Sequence, residues 1–340
     1  MSNNLPQITY MFGAGASAQV LPTIKGLPDR IKYVKDYIEK QYVFDEEETY
    51  SPKKDVQFIK NDAKSYLLNG LDDLYNVSSN HSTVDTYAKR LYINGRSSKV
   101  NELCFFLSLY FNIEQKIVGV DPRYDTFLIS ILDSSAYRFP NNLKFLTWNY
   151  DSQMEIAHTR ISRTNENDAD NSLFNTDLAR AVKDEFVSVK INGNCSVRSR
   201  FKESYPLIQN ILQPSCDSGD LNFALSYGYL QVGGGQRIYD ANLNLNFAWY
   251  HDKSRLNQIS DLYDETEILV VIGYSFPFFN REIDRKIIRS MTKLRKIYIQ
   301  DCYPDNIISR FLSILPDWEH RGIQIIPVSD TTEFFLPPEL

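Results

Sequence analysis

The run Ile8-Thr-Tyr-Met-Phe12 followed by Gly13-Ala14-Gly15-Ala16-Ser17 constrains the fold more than any other stretch of the chain. An apolar β-like segment that breaks into closely spaced glycines predicts a buried strand, a tight turn at Gly13 and a helix opening beyond it. In that arrangement Gly15 lets backbone N–H groups approach a pyrophosphate at the helix N-terminus, where the macrodipole favours negative charge. The third glycine of the dinucleotide fingerprint is absent, and two glycines alone read as a plain strand-to-helix turn of any α/β protein.

Other stretches repeat the strand-then-turn pattern. Leu143 to Thr147 is a short β run that ends in Trp148-Asn149-Tyr150-Asp151, and Val187 to Ile191 stops at Asn192-Gly193-Asn194. Glu267 to Ile272 is continuously apolar, as in the middle of a parallel sheet, and leads into Gly273-Tyr274-Ser275-Phe276-Pro277 with Asn280 beyond it. Lys296 to Gln300 ends at Asp301, a helix follows from about 305 to 315, and a tail strand lies near 323 to 328. The pattern predicts an α/β fold, a Rossmann-like parallel sheet of about six strands flanked by helices. Ligands of such sheets bind beyond the carboxyl ends of the strands, which makes these turns the candidate site.

Between the first two strands the periodicity is helical. Residues 31 to 49 predict one helix ending in the acidic cluster Asp45 to Glu48, and 55 to 115 predict several more. The domain reading is therefore one α/β domain over 1–50 and 119–340, carrying a helical insertion over 51–118. Within the insertion, Ser82 or Thr83 before Thr86 has N-cap chemistry. Residues 161 to 180 have surface-loop composition, and no internal repeat or low-complexity tract is present.

The balance of 37 basic and 43 acidic residues gives a net charge of −6, which argues against nucleic acid as the main partner. Cys104, Cys195, Cys216 and Cys302 form no C-x-x-C pair, so neither a zinc ribbon nor a disulfide framework is legible, and no metal is expected. The polar N-terminus and the short apolar runs predict a cytoplasmic protein with no membrane segment.

Gly13 to Ser17 followed by Gly26-Leu27-Pro28-Asp29-Arg30 resembles the sirtuin pattern, in which a Gly-Ala-Gly-x-Ser loop precedes a Gly-Ile-Pro-Asp-Phe-Arg stretch that closes over NAD. Together with Thr147 to Asp151 and Gly273 to Pro277, it resembles the sirtuin-like NAD hydrolases of prokaryotic anti-phage defence. The resemblance implies NAD as substrate, with phosphates at Gly13, Ala14, Gly15, Ala16 and Ser17 and with Pro28 and Asp29 in the closing loop. It implies that Asn149 positions the nicotinamide ribose and the attacking water. Gly273, Tyr274, Ser275 and Asn280 would then line the adenosine half, and Asp301 would contact adenosine. It gives Asp85 a place close to substrate, as the alternative to plain helix capping in that segment.

Sirtuins carry a His-Gly pair where this chain has Asn192-Gly193, and a neutral asparagine is no general base, although it can hydrogen-bond a ribose hydroxyl or a water. A water held by Asn149, with Asp151, Asp85 or His251 as acceptor, remains a route to hydrolysis; His251 is otherwise a packed or surface histidine. The expected activity is cleavage of NAD to ADP-ribose and nicotinamide by Asn149, Asp151 and Asn192. The alternative is an inactive sensor of NAD or ADP-ribose that regulates a partner. The resemblance also implies a homo-oligomer, or a second defence protein such as a HerA-like ATPase or an Argonaute.

Overall fold

The computed structural model describes residues 5–41, 55–133, 138–162, 173, 178, 185–199, 241–250 and 253–340. A six-stranded parallel sheet runs in the order β3-β2-β1-β6-β7-β8, with β1 at Ile8–Phe12, β2 at Leu143–Thr147, β3 at Val187–Lys190, β6 at Ile268–Ile272, β7 at Lys296–Gln300 and β8 at Gln324–Val328. The intervening strands β4 (Gly193–Ser199) and β5 (Ala241–Leu245) form a separate two-stranded sheet. Without that pair the order is the doubly wound Rossmann order, with its switch point between β1 and β6. The α/β, Rossmann-like architecture expected from the sequence is therefore the one observed.

Every residue of β1, β2, β3 and β6 is buried, because helices cover both faces of a parallel sheet. Period-2 alternation then sorts the side chains. Tyr10, Phe12, Phe145, Val270 and Ile272 join one core with Tyr124, Phe127 and Phe334, whereas Met11, Leu146, Val189, Leu269, Val271 and Ile299 join the other. The first core is aromatic, with Tyr10 and Phe12 in edge contact with Phe127 and Phe145 at 5.0 to 5.9 Å between ring centres. Thr9 is the polar exception in β1, and its hydroxyl bonds that of buried Thr266 at 2.8 Å.

The chain divides into two compact units, one of 1–20, 120–193 and 247–340, the other of 21–119 and 194–246. The first holds the sheet with helices α5 (Pro122–Ile131), α6 (Gln153–Ser162), α7 (Lys253–Leu262), α8 (Arg281–Ser290) and α9 (Pro304–Leu312). The second holds α1 (Leu27–Gln41), α2 (Asp55–Asn80), α3 (Val84–Ile93), α4 (Ser97–Val118) and the two-stranded sheet. The helices expected over 51–118 are α2 to α4, and the unit containing them also takes α1 and 194–246. Buried Glu114 on α4 meets Arg30 of α1 at 2.6 Å, and Asn112 donates to the Cys195 carbonyl at 2.7 Å. No single helix among the described residues is long and apolar enough to cross a membrane.

Two local expectations are corrected. The glycine loop does not open an α-helix: Ala14–Ser17 is one 3₁₀ turn, and the next helix starts at Leu27. Its backbone is held by the neighbouring strand instead, with Gly13 N–H bonded to the Ile272 carbonyl at 3.0 Å and Gly15 N–H to the Gly273 carbonyl at 2.9 Å. The helix expected over 31–49 begins earlier, at Leu27, and is described to Gln41; its acidic end lies outside the described residues.

Candidate functional site

Strand register brings the predicted turns into one row. Lys190 pairs with Thr147, Thr147 with Phe12, Phe12 with Ile272, Ile272 with Gln300 and Gln300 with Val328, so these carboxyl ends are level across the sheet. Asn192, Asn149, Gly13 to Ser17, Gly273 to Ser275 and Asp301 all lie just beyond that row.

At the switch point the β1 and β6 turns touch backbone to backbone. A Cβ on Gly13 would stand 2.5 Å from Tyr274 Cα, one on Gly15 would stand 2.7 Å from Gly273 Cα, and one on Gly273 would stand 2.4 Å from Ala16 N. Gly273 also has φ +60, a conformation that glycine adopts without Cβ strain. Gly15 therefore packs against Gly273, and its own N–H is bonded to the Gly273 carbonyl.

Asn149 is buried beside this contact. Its Nδ2 donates to the Gly13 carbonyl at 3.0 Å, while its backbone N–H bonds Thr147 Oγ1 at 3.0 Å. Among the described residues nothing donates to its Oδ1. Asp151 is differently placed: Oδ2 accepts from Ser17 Oγ at 3.0 Å and Oδ1 from Gln153 N–H at 3.1 Å. Burial pushes its carboxyl above the usual range, opposed first by Lys190 and then by these hydrogen bonds. The geometry makes Asp151 a clasp that fixes the glycine loop against α6.

Asn192 is also engaged through both ends of its amide. Nδ2 donates to the Trp148 carbonyl and Oδ1 accepts from Ala248 N–H, each at 2.9 Å. Trp148 stacks on Tyr274 at 5.3 Å and 7°, so the amide of Asn192 bridges the backbone beside that stack. Tyr274 OH donates to the Asp284 carboxylate at 3.0 Å and accepts from Asn280 Nδ2 at 3.1 Å. Desolvation raises Asp284 well above the ordinary carboxylate range. Asp301 Oδ1 accepts from Tyr303 N–H at 2.9 Å ahead of α9, and exposed Ser275 offers its carbonyl to Arg310 at 3.2 Å.

Pro28 and Asp29 belong to the second unit, in the first turn of α1, where proline loses no helix bond and a carboxylate suits the dipole. Asp85 lies in the first turn of α3, whose N-cap is Thr83 with a reciprocal Thr86 box. His251 lies outside the described residues. Among the described residues no group of three or more His, Cys, Asp or Glu side chains converges as a metal site.

The sequence reading missed the buried frame behind the loop. Arg123 binds Asp121 at 2.6 Å and donates to the Ala16 carbonyl at 2.9 Å, and Tyr124 OH meets Ser17 Oγ at 3.0 Å. Buried Lys190 pairs with Glu155 at 2.5 Å and donates to the Asp151 carbonyl. A lysine in the run Val-Ser-Val-Lys-Ile was the available signal, since a charge in a doubly covered strand needs a partner.

No family model and no curated protein matches this sequence. A solved structure described as Sir2Tm bound to a propionylated peptide is similar at 12% identity and a TM-score of 0.30, over 94% of this chain and 95% of that one. The fold stated above follows from strand order and register alone.

Proposed function

We infer that this protein binds NAD at the β1/β6 switch point and hydrolyses it to ADP-ribose and nicotinamide. The observation that carries this reading is Asn149, whose amide is anchored to the Gly13 carbonyl through Nδ2 while no donor among the described residues reaches Oδ1. That acceptor stands next to the glycine loop, where it can take a hydrogen bond from a ribose hydroxyl or a water. The sequence resemblance to sirtuin-like NAD hydrolases supports the substrate and assigns the same asparagine to the nicotinamide end.

The glycosidic C–N bond breaks with its electron pair leaving on nicotinamide, water adds to the anomeric carbon, and the water's second proton passes to solvent. Such a step runs through an oxocarbenium-like state, stabilised mainly by positioned dipoles. Asp151 and Asn192 act here as positioning residues, because their polar atoms already hold protein partners. Loss of a general base costs about 10²- to 10⁴-fold, which a slow NAD-depleting effector can bear. Use in anti-phage defence, and control by a partner, belong to this reading through the resemblance.

A second reading is an inactive sensor of NAD or ADP-ribose, and the commitment of Asn192 to two backbone groups favours it. Incubation with NAD, with nicotinamide release followed by chromatography, separates them. The hydrolase reading expects release by the wild type that falls at least about 10²-fold in Asn149→Ala. Equal background release from both proteins, while both still bind NAD, leaves the sensor.

A further inference from the structure

Away from the strand-end site, α8 and the stretch from α9 to Arg321 face each other across two clefts. One, of about 410 Å³, is walled by Arg281 and Arg310 with Phe276 and Phe278; the other, of about 560 Å³, is walled by Arg289 and Arg321 with Asp317. Arg285 stands between them and donates to the Ser313 carbonyl at 3.3 Å. Arg281, Arg285 and Arg289 repeat every fourth residue, so they form one stripe on a helix face about 12 Å long.

These five guanidiniums lack acidic partners among the described residues. Arg310, Arg285 and Arg321 bond only backbone carbonyls, and Arg281 lies 5.2 Å over the ring of Phe278. Arg285 Nε is buried without a hydrogen bond, and the Phe278 side chain is left in water with the residue 81% exposed. Among the described residues, Asp317 alone brings a negative charge to either cleft. An unpaired arginine stripe flanked by an exposed aromatic on a chain of net charge −6 calls for an acidic, aromatic protein segment.

The chain carries such a segment itself. Tyr42-Val-Phe44-Asp45-Glu46-Glu47-Glu48-Thr-Tyr50 places four consecutive carboxylates between aromatic residues, outside the described residues. We propose that the arginine groove binds the Asp45 to Glu48 run of a second copy of this chain. The contact is heterologous, groove to acidic run, so it propagates around a ring or along a filament rather than closing as a symmetric pair. It does not depend on the hydrolase reading.

Sedimentation velocity of the full chain tests it, using Arg281→Glu with Arg289→Glu as one variant and Asp45→Lys, Glu46→Lys, Glu47→Lys and Glu48→Lys together as the other. Arg281 and Arg289 make no side-chain hydrogen bond among the described residues, and Arg281→Gln with Arg289→Gln provides a milder form. The wild type assembles at 0.1 M salt and loosens at 1 M, with screening at about 10 and 3 Å respectively. Each variant associates at least roughly tenfold more weakly, and an equimolar mixture of the two charge-reversed variants assembles again. A wild type that stays monomeric overturns the proposal, as does assembly unchanged in either variant. Loss in the arginine variant alone, or failure of the mixture, overturns it too. So does a single-stranded oligonucleotide that binds wild type at physiological salt and not the arginine variant.

Discussion

Asn149 and Asp151 are two residues apart and do different work, because each is defined by what its atoms have left over. The carboxylate of Asp151 is spent on Ser17 and Gln153, whereas the amide of Asn149 keeps its acceptor. Asp284 shows the same logic in a structural setting, with desolvation raising its pKa well above the ordinary range and only the Tyr274 hydroxyl opposing it. An acid whose folded pKa is raised binds its proton more tightly in the native state. Its stabilising contribution is therefore full below the unfolded pKa and is lost as pH rises through the folded value. Asp284→Asn should remove this loss, so that urea midpoints of wild type and variant converge near pH 4 and the variant becomes the more stable toward pH 8. A gap that does not change with pH would show that the carboxyl carries no such linkage.

At the scale of elements, the decisive feature is the contact between the β1 and β6 turns. Gly273→Ala adds a Cβ 2.4 Å from Ala16 N at φ +60, whereas Gly322→Ala, at φ +65, meets nothing within 4 Å. The first should cost about 2 to 4 kcal/mol, from backbone overpacking and left-handed strain together, and the second about 1 kcal/mol from strain alone. Chemical denaturation of the two variants checks the difference, and equal losses would mean that the turns separate freely. The 3₁₀ turn belongs to the same scale. Glycine spacing signalled a helix opening after Phe12, but the Gly13 and Gly15 N–H groups are drawn to β6 carbonyls, a partner no local window contains.

For the whole molecule, ligand linkage is the readable quantity. ADP-ribose at one hundred times its dissociation constant should stabilise the chain by about 2.7 kcal/mol, seen as a raised melting temperature. Asn149→Ala should lose part of that shift, because ADP-ribose keeps the ribose that Asn149 contacts, while Gly273→Ala should lose all of it even after correction for its own lower stability. A melting temperature indifferent to ADP-ribose and to NAD would remove the switch-point site as a nucleotide site.

The sequence alone determined the sheet, since five-residue apolar runs buried on both faces leave a parallel α/β layer as the arrangement that hides them. It also determined where the strands stop, so the polar turns at 13–17, 149–151, 192–194 and 273–275 were legible as one candidate site. Tertiary structure decided what each of those residues has to spare. That Gly15 packs on Gly273, that Asp151 accepts from Ser17, and that Arg123 and Lys190 hold the loop depend on partners more than a hundred residues away or on another strand. Hydrogen-bond satisfaction in a buried site is settled only when those partners arrive, and a local pattern carries no record of them.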